Sequence, residues 1–98
     1  MDCQARDNHT LIHLGAHLDK TTLTELDQIL KKAIALNKKV IFDAIHIARV
    51  DITSFQLLLS FIKTANQHKI DYQFQSASDS FVQIVNLLGG TTIFKLNH

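Results

Sequence analysis

The sequence predicts an α/β domain, a mixed sheet of four to five strands with three to four helices packed against it. Three observations carry this reading. Apolar residues recur at three- and four-residue spacing in three stretches, short apolar or alternating runs lie between them, and the two kinds of segment take turns along the chain. Such alternation is what right-handed crossovers need to lay helices on a sheet. No Pro-rich, Gly/Ser-rich or single-charge tract and no internal repeat divides the 98 residues, so residues 1–98 are expected to form a single domain around one core.

Thr10 to Leu14 reads as a strand, and Gly15 ends it where the chain can turn without a Cβ clash. The pattern also accommodates a short earlier strand over Cys3 to Arg6, joined through the turn-prone pair Asp7-Asn8. Thr22-Leu23-Thr24-Glu25 has the spacing of a capping box, and beyond it Leu23, Leu26, Leu30, Ala33 and Ile34 define an amphipathic helix. Lys31, Lys32, Lys38 and Lys39 gather towards its end, where cations suit the negative pole of the helix dipole, and Asn37 provides the stop.

Val40 to Phe42 is a continuous apolar run ending at Asp43, the pattern of a central strand buried on both faces. Ile45, Ile47 and Val50 carry the apolar character through a connecting segment. A second helix spans Ile52 to His68 on Phe55, Leu58, Leu59, Ile62 and Ala65. Ile70, Tyr72 and Phe74 then alternate with Asp71, Gln73 and Gln75, the period of a strand with one covered face. Phe81, Ile84, Val85 and Leu88 make a third helical stripe, closed by Gly89-Gly90, and Thr91 to Leu96 adds either a final strand or a short helical turn.

Composition narrows the function classes. Apolar residues at 46% against 19% charged can offset the entropy of ordering the chain, which excludes a disordered protein. The ten basic and nine acidic side chains nearly cancel and are scattered, so no field gathers phosphate backbones or anionic lipid, and nucleic acid is not an expected ligand. Cys3 alone cannot form an intrachain disulfide and fits a reducing compartment. Met1-Asp2-Cys3-Gln4 lacks the basic and apolar parts of a signal peptide, and no apolar run approaches membrane-spanning length. A cytoplasmic protein without direct membrane insertion is expected.

Three stretches, in this order and spacing, resemble the STAS family, the domain of anti-sigma-factor antagonists, sulfate-transporter tails and a small subunit of Mla-type phospholipid transporters. Leu11-Ile12-His13-Leu14-Gly15-Ala16-His17-Leu18-Asp19 is similar to the family's strand, glycine and following Leu-Asp. Val40 to Asp43, the spacer to Val50 and then Asp51-Ile52-Thr53-Ser54 opening a helix resemble its strand ending in Asp, apolar spacer and Asp-Ser/Thr turn. Phe81 to Gly90 resembles its last helix before a glycine.

The resemblance implies a docking module, and the departures shape what it implies. In the anti-sigma-antagonist branch the second residue after the turn's Asp is the hydroxyl residue that a partner kinase phosphorylates, a position held here by Thr53. In the Mla-type branch a threonine directly follows the Asp, where this chain has Ile52; in either branch a glycine often comes next, where it has Ser54. The reading is therefore a non-enzymatic module contacting its partner through Arg49, Asp51, Thr53 and Ser54. The partner is an anti-sigma factor/serine kinase in the switch version, or the ATPase of an Mla-type phospholipid ABC transporter in the alternative.

The residues themselves leave more than one role open. Thr53 lies where a helix begins, so a phosphoryl group there would meet unsatisfied N–H groups and the positive helix pole. Thr53-Ser54-Phe55-Gln56 is also a capping-box pattern. Asp51 is read as a helix cap or as a group that orients Thr53 and contacts a partner, and Asp43 as a binding group at the carboxyl end of the central strand or as a strand-end residue bonding nearby backbone N–H groups. His9, His13 and His17 recur every fourth residue, but on a strand and turn they are expected to point apart, and His46 falls in a partly exposed loop. No metal or cofactor is expected. A hydrolase using His46 with Asp43 or Asp51 lacks a spacing that unites nucleophile, base and oxyanion site.

Overall fold

Burial alternates residue by residue along the strands, and that alternation decides the architecture. The computed structural model describes residues 1–96. The elements are β1 (Asp2–Ala5), β2 (His9–His13), β3 (His17–Leu18), α1 (Leu23–Leu36), β4 (Lys39–Asp43), β5 (Arg49–Val50), α2 (Ile52–Gln67), β6 (Tyr72–Gln75) and α3 (Asp79–Leu87). Four strands form one mixed sheet in the order β1-β2-β4-β6, with β1 antiparallel to β2 and the other pairs parallel.

Register aligns Thr10 with Val40 and Tyr72, and Ile12 with Phe42 and Phe74, and all six are buried. The row between them, Leu11-Ile41-Gln73, is half-buried or exposed. Buried residues of α1 (Leu26, Leu30), α2 (Leu58, Phe61) and α3 (Phe81, Val85) join the first set in one core. The helices therefore cover one face of the sheet and leave the other open. The expectation that Val40 to Phe42 is buried on both faces is corrected accordingly. Ile41 points to the open side, and its apolar character is not a sign of a second helical layer.

All six phenylalanines of the chain meet in this core. Phe42 stacks on Phe74 at 4.5 Å and meets Phe61 edge-on at 5.4 Å, while Phe94 stacks on Phe55 at 5.2 Å and lies 5.2 Å from Phe74. Offset and edge-on pairs of this kind add about 0.5–1.5 kcal/mol each beyond their area burial. Phe94 belongs to the segment after α3, which is a helical turn, with the Phe94 N–H donating to Gly90 O at 2.9 Å. Of the two readings for Thr91 to Leu96, the strand is thus excluded. The turn packs Phe94 and Leu96 into the core and receives the Tyr72 hydroxyl on Ile93 O at 2.6 Å.

Local signals held unevenly. Asn37 ends α1 in the left-handed region at φ 54°, as expected of a helix stop. Thr22 occupies the N-cap, but its hydroxyl donates back to His17 O at 3.1 Å and makes no cap bond, so the capping box is not formed. Leu88 falls beyond the end of α3 and is exposed, not part of the third stripe. Gly90 is needed for a reason other than backbone freedom. A Cβ there would lie 3.2 Å from Phe55 Cζ and 3.2 Å from Phe94 Cδ1. Because Phe55 and Phe94 are stacked on each other and buried with Val85, they have little room to give way, and Gly90→Ala is expected to cost about 1–3 kcal/mol by overpacking, read as a lower urea midpoint with an unchanged slope.

Candidate partner-docking site

The site begins where β4 hands the chain to α2. β5 pairs in parallel with β3, setting His17 beside Arg49 and Leu18 beside Val50. The N–H groups of Ala48 and Arg49 donate to Ala16 O at 2.8 and 3.1 Å, and the Asp51 N–H donates to Leu18 O at 2.9 Å. The connecting segment is thus fastened to the chain after Gly15 before the helix starts. Asp51 is extended (φ −85°, ψ 169°), and its carboxylate accepts the Ser54 N–H at 2.7 Å, so it is the N-cap of α2. Of the two caps open from sequence, Asp51 is the one used and Thr53 is released from that role.

This register fixes where each side chain points. Ile52 is 64% exposed and Thr53 is exposed, whereas Ser54 is fully buried with no hydrogen-bond partner for its hydroxyl among the protein atoms. Ser54 stands one helical position past Thr53, a rotation of about 100°, and that rotation turns it from the surface into the core. Its place among the expected contacts is therefore corrected, because a partner cannot touch it without opening the helix. Arg49 is exposed on β5. The C-terminal turn packs on Phe55, one turn further along α2, so Phe94 supports the site from inside.

Two features of the surroundings were not anticipated. Thr53 borders a groove of about 410 Å³ in which Gln56 and Leu57 of α2 face Leu23, Thr24 and Asp27 of α1. Beside it a second groove of about 220 Å³ runs between Leu30 and Ile34 on one side and Leu57 and Phe61 on the other. The sequence signal was present in the mixed face Thr53, Leu57, Ser60 and Thr64, at helical spacing but too polar to be core. Second, Asp19 accepts the Thr21 hydroxyl at 2.5 Å and its N–H at 2.9 Å. These bonds, with His17 and Arg49 adding positive potential, hold its carboxyl below the usual range.

The other candidates lie elsewhere. Asp43 accepts the Ile45 N–H at 3.2 Å, as a strand-end carboxylate should, and its other oxygen is 3.1 Å from His13 Nδ1. His9 and His13 share the open face of β2 and do not point apart, while His17 is on the smaller sheet. His46 is exposed in a turn. Burial pushes the Cys3 thiol up, which disfavours the thiolate. Among the described residues no three His, Cys, Asp or Glu could hold a metal together, and no helix is long and apolar enough to cross a membrane.

A family model for the STAS domain matches residues 1–97. The chain belongs to the STAS family. Comparison with curated proteins gives no match. STAS domains are generally regulatory modules that interact with protein partners and do not catalyse reactions. In this STAS domain the turn that opens α2 is presented to solvent, and no segment of the described chain covers Ile52 or Thr53.

The two polar neighbours of Thr53 should respond to truncation with opposite signs. Asp51→Ala removes a cap and is expected to cost about 1 kcal/mol, whereas Ser54→Ala removes a buried unpaired hydroxyl and is expected to gain about 1 kcal/mol. Urea unfolding of both variants checks the pair.

Proposed function

We propose that this STAS domain is a non-enzymatic docking module whose contact surface surrounds the start of α2 and is switched by phosphorylation of Thr53. The observation that carries the reading is the split between adjacent hydroxyls: Thr53 is exposed beside exposed Ile52, and Ser54 is buried. A kinase therefore finds one hydroxyl in this turn. Asp51 caps the helix that carries it, and the backbone bonds of Ala48, Arg49 and Asp51 to Ala16 and Leu18 anchor the segment that leads into the turn.

The energetics favour an on–off response. Ile52 and the groove beside Thr53 offer apolar area that is worth about 25 cal/mol per Å² when covered. A phosphoryl group transferred to the Thr53 oxygen adds nearly two negative charges at the border of that area. Its charge is compatible with the helix N-terminus, so the helix survives while an apolar or acidic partner face is repelled. On this reading the unmodified form binds an anti-sigma-type serine kinase in the cytoplasm and the modified form releases it.

A second reading rests on the exposure of Ile52, although an isoleucine at this position departs from the threonine of the Mla-type branch. An isoleucine 64% exposed suits an interface that stays covered, as in a STAS subunit held permanently on the ATPase of an Mla-type phospholipid transporter. Affinity capture followed by titration of the recovered partner separates the two. The switch predicts that Thr53→Asp weakens binding by roughly tenfold or more while Thr53→Ala stays near wild type. Equal affinities of the two variants for a captured transporter ATPase, with binding lost in Ile52→Asp, would establish the second reading and sink the first.

A further inference from the structure

The open face of the sheet carries a charge arrangement that the docking site at α2 does not use. Leu11 and Ile41 lie side by side at its centre, half-exposed, and neither packs against the core. Gln4 and Gln73 flank them in the same row. Towards the Asp43 end the row above contains Asp2 and Asp43, with His13 between them in register. At the opposite end Arg6 and Lys39 share the face; the one carboxylate beside them, Asp71, is 3.9 Å from Lys39 and is held at 3.0 Å by Lys95, which reaches it from over the ring of buried Tyr72 at the sheet edge. Along β1 the three polar side chains point the same way, since Gln4 donates to Asp2 at 2.9 Å and accepts from Arg6. The face is therefore acidic at one end, apolar in the middle and basic at the other.

Such a surface complements its own image turned end over end. A twofold axis lying across the strands, along the Gln4-Leu11-Ile41-Gln73 row, exchanges the acidic and basic ends and keeps each strand over its own copy. Leu11 and Ile41 then meet their counterparts, Asp2 faces the second copy's Arg6, and Asp43 faces its Lys39. An axis along the strands would stack acid on acid and is disfavoured. Isologous pairing needs this kind of self-complementarity, and a partner of single charge sign would be repelled by one end.

We propose that the open sheet face is the docking surface for a second copy of this chain, in a face-to-face, twofold-symmetric dimer. Strands about 4.8 Å apart and residues rising about 3.3 Å give the face an area of only roughly 300 Å². That is below the roughly 800 Å² per partner of a stable interface, so the dimer is weak, reversible and populated at high concentration. It leaves the start of α2 free, because Thr53 and its groove lie on the helical side of the sheet.

Charge-swapped variants of two exposed β1-side residues test the geometry. Sedimentation equilibrium of the purified chain at low salt, carried into the millimolar range, is expected to show a monomer–dimer equilibrium that weakens as salt is added. Asp2→Lys and Arg6→Glu, each verified as folded by circular dichroism, should each weaken self-association by roughly tenfold, because symmetry places the lost pair in the interface twice. Mixed together, the two variants should associate with each other at least as well as the wild type does with itself, since every facing pair is again of opposite sign. A chain that stays monomeric throughout, or a dimer indifferent to the swaps, or a mixture no tighter than either variant alone, would overturn the proposal.

Discussion

Asp51 is bonded on both sides of the boundary between loop and helix. Its N–H reaches back to Leu18 O and its carboxylate reaches forward to the Ser54 N–H, at 2.9 and 2.7 Å. One residue thus ties the chain after β2, the crossover from β4 and the first turn of α2 into a single rigid corner. The segment from Ala44 to Val50 that leads into it is itself held, by buried Ile47, by the Ser78 hydroxyl donating to Ile47 O at 2.5 Å and by the bonds of Ala48 and Arg49 to Ala16 O. With both ends held, the helix can start in one register only. That register puts Thr53 and Ile52 outside and Ser54 inside.

The corner rests on an aromatic floor. Phe55 sits one turn into α2 and stacks on Phe94, which in turn touches Phe74 and Phe81. The last described segment of the chain therefore supports the helix that carries the site without lying over it. Gly90 allows this close approach, and the Tyr72 hydroxyl fixes the turn to the sheet edge. Packing on one face of the sheet accounts for the remaining surface: the helices have one side to cover, and the side they leave bears Asp2 and Asp43 at one end and Arg6 and Lys39 at the other.

Most of this architecture was legible in the residues. The helical stripes and the alternation of Tyr72 and Phe74 with glutamines report faces, and faces survive folding. Asn37 was legible because few non-glycine residues tolerate the left-handed region. What stayed hidden depends on partners distant in sequence. β3 and β5 are two residues each, too short for any period, and are held together by the backbone bonds of Ala48, Arg49 and Asp51 to Ala16 O and Leu18 O. An unbroken run such as Val40-Ile41-Phe42 cannot say whether its second face is covered. Thr22 and Thr53 illustrate the same point at single residues: a capping pattern gives the means for a bond, and the helix register, set at α2 by Asp51, decides which means are used.

A corner bonded on both sides of the helix start should be held about as firmly as the core. Amide hydrogen exchange, read residue by residue under native conditions, addresses it directly. The N–H groups of Ala48, Asp51 and Ser54 should exchange with protection approaching that of Leu58 and Ile62 within α2, because opening them requires releasing the helix start. Exchange at those three amides as fast as in an exposed loop, while the middle of α2 stays protected, would mean that Thr53 is carried on a frayed end and not on a rigid corner.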